Sequence, residues 1–330
     1  MAILQNLLAT DFLGTPVPYW LGFIAIVITV LALDLGVLHQ KDHAVGARES
    51  LLLSAAYIAV GLAFGAGLWL IRGPQAGVEY LTGFVIEKSL AMDNVFVIAM
   101  VFSFFAIPRE LQHRVLFWGI VGVILLRAAL IATGAALIAE FSWILYVFGA
   151  FLIATGVRML YKLDEEFRIE DSPLLRFLRR HLRVTPGLHG NRFLVRLPAT
   201  EAAGAPVVWW VTPLFLALFV IETVDLVFAV DSVPAIFAIT QDPFIVYTSN
   251  IFAILGLRAL YFALAALVHR FRYLKVSLAA VLVFVGGKII AAEWVGKIPA
   301  WFSLSMTAAL LAAGVLYSLY RTRIPHGARS

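Results

Sequence analysis

The 330 residues are 62% hydrophobic and only 14% charged, with a mean hydropathy of +0.95, far from the roughly 45–50% apolar and 25% charged content of soluble domains. That composition excludes an ordinary soluble enzyme and predicts an all-α, polytopic protein whose main surroundings are the lipid bilayer. The formal charge of +5 speaks to membrane topology rather than to nucleic acid, and the absence of cysteine excludes disulfides and thiolate metal ligands.

A hydrocarbon core about 30 Å thick calls for roughly 20 apolar residues per helix. Nine stretches meet that requirement: 19–38, 51–71, 78–106, 115–139, 142–161, 207–238, 244–268, 273–292 and 299–320. The first has no basic region before it and no small-residue cleavage site, so it reads as a retained helix. The expected organisation is a single membrane domain, with spans one to five in 1–161, a basic loop at 162–206 and spans six to nine in 207–330. Eighteen of the 25 Lys and Arg, with Lys275 at the very start of span eight counted among them, follow spans one, three, five and seven or end the chain, whereas the opposite side holds only Arg72 and Lys297. Positive charge is retained on the cytoplasmic side, which puts the N-terminus outside and the C-terminus in the cytoplasm. All eight tryptophans, Trp20 and Trp301 among them, fall near span ends, where an aromatic belt belongs.

Span one carries Asp34 about a turn from the cytoplasmic interface, where water can reach it, so it is an accessory candidate only. Span two has Gly61 and Gly65 at a packing spacing. Span three is the first anomaly: EKSLAMDNVFV places Glu87, Lys88, Asp93 and Asn94 inside an apolar helix. Spans four and five each contain an arginine, Arg127 and Arg158. The long loop brings apolar residues at 174, 175, 178 and 182 between arginines, the pattern of a helix lying on the inner leaflet. A turn at HGN and a short extended run follow. Span six, VIETVDLVFAVDSVPAIFAIT, repeats the anomaly with Glu222, Asp225, Asp231 and Ser232. Spans seven and eight carry Arg258 and Lys288.

The two anomalies align. Ser89–Val95 matches Val227–Val233 at an offset of 138 residues, which sets Glu87 against Asp225 and Asn94 against Ser232. The following helices match Arg127 to Arg258 at an offset of 131, and Gly156 and Arg158 to Gly286 and Lys288 at 130. Spans three to five thus repeat as six to eight. Because three spans separate equivalent helices, the halves run in opposite directions, an inverted repeat of the kind found in transporters.

On insertion scales each mid-membrane charge costs roughly 2.5 to 3.5 kcal/mol, so five unpaired carboxylates would cost on the order of 15 kcal/mol. Arg127, Arg258 and Lys88 are the natural counter-ions. Three bases against five acids leave about two negative charges, which a divalent cation would cancel. An alternative reading makes the acids buried ion pairs that fix helix register. At 3.6 residues per turn, residues seven apart share a face, so Glu87 goes with Asn94 and Asp225 with Ser232, while Glu222 lies opposite Asp231. One ideal helix cannot aim all three acids of span six at one ion, and a break near Asp231–Pro234 is therefore expected. Oxygen donors suit Mn²⁺, Ca²⁺ or Mg²⁺, and the seven histidines lie in loops or at span ends, so a soft-metal site is not expected. Met92 offers a thioether that would favour Mn²⁺, though a methionine in an apolar helix is first of all core filling.

EKSLAMDNVFV, HGNRFLVR and TPLFLALFVIETVDLVFAVDSVPAIFAIT resemble the TerC family of bacterial membrane proteins, which includes Alx and is grouped with the LysE-type exporters. DLGVLHQKDHAVGARESL resembles the family's first loop, and the likeness runs from about Asp34 to Lys288. The chain departs from the family after Arg196, where LPATEAAGAP replaces an acidic stretch with a DG turn. The resemblance implies a bacterial inner-membrane exporter of Mn²⁺, linked to manganese tolerance and historically to tellurite resistance. Its metal-site acids would be Glu87, Asp93, Glu222, Asp225 and Asp231, with Asn94 and Ser232 beside them. Proton antiport is the expected coupling, since carboxylates withdrawn from water can trade a proton for an ion. Two other readings stay open: a non-transporting scaffold or assembly factor that delivers metal to other proteins, and an amino-acid or other small-solute exporter, the latter disfavoured by the surplus of acid over base.

Overall fold

The computed structural model describes residues 10–36, 47–161, 173–199, 205–264, 274–296 and 298–323. Among the described residues, eleven helices carry the fold. They are α1 (Val17–Gly36), α2 (Ala47–Arg72), α3 (Pro74–Phe104), α4 (Arg109–Glu140), α5 (Ile144–Tyr161), α6 (Pro173–His181), α7 (Pro213–Phe237), α8 (Pro243–Leu255), α9 (Leu257–Leu264), α10 (Leu274–Val295) and α11 (Ala300–Arg323). The four short strands are β1 (Asp11–Phe12), β2 (Thr15–Pro16), β3 (Leu194–Pro198) and β4 (Val207–Val211). They form two antiparallel pairs, β1 with β2 and β3 with β4. Among the described residues, six helices are long and apolar enough to cross a membrane, and two shorter apolar helices, Val17–Leu33 and Val276–Ala292, accompany them. The 31-residue α3 is long enough as well, but it contains Glu79, Glu87, Lys88 and Asp93.

Helix boundaries follow local chemistry. α3, α7 and α8 each open on a proline, which needs no partner for the N–H it lacks. Asp242 caps α8 by accepting from the backbone N–H groups of Phe244 and Ile245 at 2.9 and 3.3 Å. It also takes Arg72 in an ion pair at 2.7 Å, which ties the end of α2 to the start of α8.

Two expectations need correction. Residues 207–211, VVWWV, are not the start of a span but strand β4, paired to β3 from Val207↔Pro198 to Val211↔Leu194. Their β-branched and aromatic side chains fit a strand, and the helix begins only at Pro213. Span seven remains one candidate crossing over Pro243–Phe262, with a turn at Gly256 between the end of α8 at Leu255 and the start of α9 at Leu257. The basic helix α6 does not present its apolar face to lipid. Leu175 and Leu178 are buried in the main core cluster and Leu174 and Leu182 pack against it, leaving Arg176, Phe177, Arg179 and Arg180 outward.

α3 lies at the centre, packed by α2, α7, α8, α9 and α11. Its C-terminal Phe104 meets Arg179 of α6, and Arg114 near the start of α4 lies over Phe193 beside β3. The β3–β4 hairpin, the end of α3 and the starts of α4 and α7 thus share one end of the bundle, so α3 and α7 run antiparallel. The contacts pair off in the register of the sequence repeat. α3 packs on α8, and its equivalent α7 packs on α4. The most extensive contact, α5 on α10, is made by residues that this register exchanges. A methyl group at Gly286 would come 2.5 Å from the carbonyl oxygen of Gly149, and one at Gly156 would come 2.7 Å from that of Ala279. Backbones this close require glycine at the crossing.

Candidate functional site

The site is built where α3, α4, α7 and α8 meet, around one arginine. Arg127 is among the largest fully buried side chains of the described residues. Its Nε and Nη2 donate to the two oxygens of Asp225 at 3.2 and 3.1 Å, a bidentate grip. Its Nη1 donates to Glu87 Oε1 at 2.5 Å, to Asn250 Oδ1 at 3.0 Å and to Ser232 Oγ at 3.2 Å. Asn94 closes the ring by donating from Nδ2 to Asp225 Oδ1 at 3.0 Å. Glu87, Asn94, Asp225, Ser232 and Asn250 are all buried.

The seven-residue spacing explains the assembly. Glu87 and Asn94 share one face of α3, Asp225 and Ser232 one face of α7, and antiparallel packing sets the two faces against each other. With both acids ionised, the guanidinium cancels one negative charge and leaves one. Glu87 Oε2, Asn94 Oδ1 and Asn250 Nδ2 are buried and bond to no protein atom. The cluster therefore keeps unused oxygen donors beside its surplus charge.

A cavity of about 30 Å³, room for about two waters or a small ion, adjoins the cluster on the hairpin side. Asn94, Asp225 and Arg258 supply its polar lining, and Val97, Ile120, Val123 and Leu257 are among its apolar walls.

The remaining candidates separate. Glu222 turns toward α4, where a methyl group at Gly122 would come 2.6 Å from Glu222 Oε1. Both of its carboxylate oxygens are buried and bond to no protein atom. Asp231 turns to α5 and accepts from Thr155 at 3.3 Å, with Arg158 close enough to act on it electrostatically. The break expected near Asp231–Pro234 is absent: α7 runs unbroken from Pro213 to Phe237. Pro234 falls in the last turn, so the donor it lacks shortens the helix at its end and does not redirect Asp231. Glu222, Asp225 and Asp231 consequently face three directions. Among the described residues, no three His, Asp or Glu side chains are grouped closely enough to hold a metal.

Lys88 is not a partner of the acids in this arrangement. Its Nζ donates to the carbonyl oxygen of Ala253 at 3.0 Å. Arg258 is buried and borders the cavity. The side chains of Asp34, Met92 and Asp93 lie outside the described residues, although the backbone of each is helical. Asn250 was not legible in the sequence, because its repeat-related position is Gly119 and carries no polar group to match it.

The fold and this buried charge network define a polytopic α-helical membrane protein with ionisable groups held in its interior. The profile of the Integral membrane protein TerC family matches residues 72–325. The chain is 49% identical over 304 residues to the uncharacterized membrane protein STKORF319 of Myxococcus xanthus, covering 92% of each chain. It is 47% identical over 305 residues to a membrane protein of Rickettsia bellii, covering 92% of this chain and 98% of the relative. With Alx of Escherichia coli, whose name proposes a membrane-bound redox modulator, it shares 45% identity over 308 residues, covering 90% of this chain and 92% of Alx. No solved structure matches the chain. The chain belongs to the TerC family.

Proposed function

We propose that this protein is a secondary transporter that exports a hard divalent cation, Mn²⁺ before Ca²⁺ or Mg²⁺, from the cytoplasm of a bacterium across its inner membrane, in exchange for protons. The hairpin end is then cytoplasmic. One observation carries the reading: two buried carboxylates from antiparallel helices share a single guanidinium, leaving a negative charge and free oxygen donors beside a cavity. In this account Arg127 is a tethered cation that holds the empty carrier together. A divalent ion entering from the cavity meets Asp225 and Asn94, displaces the guanidinium, and gains Glu87 and Ser232 as it does so. Oxygen-only ligation favours the hard ions. Asp93 and Asp231, equivalent in the repeat, are assigned to the two approaches. Glu222, with both oxygens buried and unbonded near Asp225, is the further oxygen donor toward the cytoplasmic side. Thiol redox chemistry is not available to a chain without cysteine.

The test is transport by the purified protein in liposomes, read with a trapped Mn²⁺-sensitive dye. The wild type should move Mn²⁺, Asp225→Asn and Glu87→Gln should not, and collapsing the pH gradient should slow the wild type. Transport indifferent to that gradient would remove proton coupling alone.

The engagement of all three nitrogens of Arg127, five contacts from one guanidinium, favours a second reading in which the network is a structural lock in a scaffold that moves no ion. Liposomes that take up no Mn²⁺ would select it.

A further inference from the structure

The two ends of the bundle that the repeat relates are packed differently. At the hairpin end, Ile98 of one repeat and Ile221 and Arg258 of the other border the cavity. Their equivalents in the repeat register are Ile236, Gly83 and Arg127, and these are closed on their neighbours. A methyl group at Gly83 would come 3.1 Å from Ile236 Cγ2 and 2.8 Å from Ser249 Oγ, and Ile236 and Ile251 expose no surface. The carboxylates are near-equivalent, one on each antiparallel helix, and each has a polar residue seven positions on that faces the other helix. Either arginine can therefore find the same acceptors. Only one guanidinium fits, because Arg127 already takes both acids together with Ser232 and Asn250, and two cations a few ångströms apart at the centre would repel.

We propose that the chain has a second conformation, the repeat-exchanged counterpart of this one, in which Arg258 replaces Arg127 between Glu87 and Asp225. The cavity beside Asn94 closes, and a cavity bordered by Gly83, Ile236 and Ile251 opens at the opposite end of the bundle, giving the carboxylates a second route of access. The proposal deepens the transport reading and rests on it, but its test does not require transport.

The native chain has no cysteine, so single cysteines report directly. Ile98→Cys and Ile236→Cys are made separately in the full chain and reacted with a membrane-impermeant maleimide in vesicles of both orientations. The cysteine at 98 should react only from the hairpin face and that at 236 only from the opposite face. Gly83→Leu should slow reaction at 236 at least tenfold and spare 98. Arg258→Ala should also suppress reaction at 236 while 98 still reacts, and Arg258→Lys should restore part of it. A merely structural arginine would change both positions together. The proposal is overturned if 236 is unreactive from the opposite face while 98 reacts, if neither position reacts, or if Arg258→Ala affects both alike. Labelling as expected in a protein that moves no Mn²⁺ would sink the transport reading and leave the two conformations standing. Failed labelling in a protein that does transport would sink this proposal alone.

Discussion

Replacing Arg127 with methionine separates its role as counter-ion from its role as filler, since the stem is kept and the charge is lost. Two buried carboxylates, Glu87 and Asp225, would then face each other with no cation between them, and Ser232 and Asn250 would lose their donor. Removing one partner of a buried ion pair costs about 3–5 kcal/mol. At roughly 2–4 °C per kcal/mol for chains of 150–250 residues, somewhat less for a longer one, the unfolding temperature should fall on the order of 10 °C. A divalent ion in the vacated place should restore much of this, because an ion at 100 times its dissociation constant stabilises the folded state by about 2.7 kcal/mol. The assay is thermal unfolding in detergent, followed by tryptophan fluorescence, with and without Mn²⁺. Arg127→Met should be strongly stabilised by Mn²⁺ and the wild type much less, since the wild type must first displace its own guanidinium. An unfolding temperature that neither drops on mutation nor responds to Mn²⁺ would refute the idea that the guanidinium stands where the ion binds.

Three further outcomes follow from other parts of the molecule. Gly286→Ala should overpack the α5–α10 crossing and cost about 1–3 kcal/mol, whereas Gly287→Ala, with open space around it, should leave stability unchanged or slightly raised; paired unfolding curves in detergent check both. Tyr80→Phe removes a buried hydroxyl that donates to the Gly61 carbonyl oxygen at 2.9 Å and should cost about 0.5–1.5 kcal/mol in the same measurement. Asp93→Asn and Asp231→Asn should each abolish Mn²⁺ transport in liposomes while expression stays intact, since the amide keeps the shape and loses the charge; two fully active variants would make these residues structural.

Helix periodicity made much of the site readable. The seven-residue spacings of Glu87 with Asn94 and of Asp225 with Ser232 placed four groups on two faces, and a buried arginine on the next helix was the obvious counter-ion. Burial cost forces such residues together, which is why the sequence signal is strong. What the spacing left open was set by tertiary packing. Lys88 reaches a backbone carbonyl because α8 ends at Gly256 and presents it. Asn250 ends the polar run Thr248–Asn250, whose repeat-related positions are Phe117, Trp118 and Gly119, so no matched polar pair marked it. Val207–Val211 is as apolar as a span, and only pairing with β3 makes it a strand. The break that Pro234 suggested does not occur, because Pro234 lies in the last turn of a helix that runs unbroken from Pro213 to Phe237. Glu222 and Asp231 therefore diverge from Asp225.

The most direct test is a crystal grown with Mn²⁺ and measured at the manganese absorption edge. An anomalous peak is expected between Glu87 and Asp225, with the Arg127 guanidinium displaced from both. A fully occupied Mn²⁺ elsewhere, with Arg127 still gripping the two carboxylates, would contradict it.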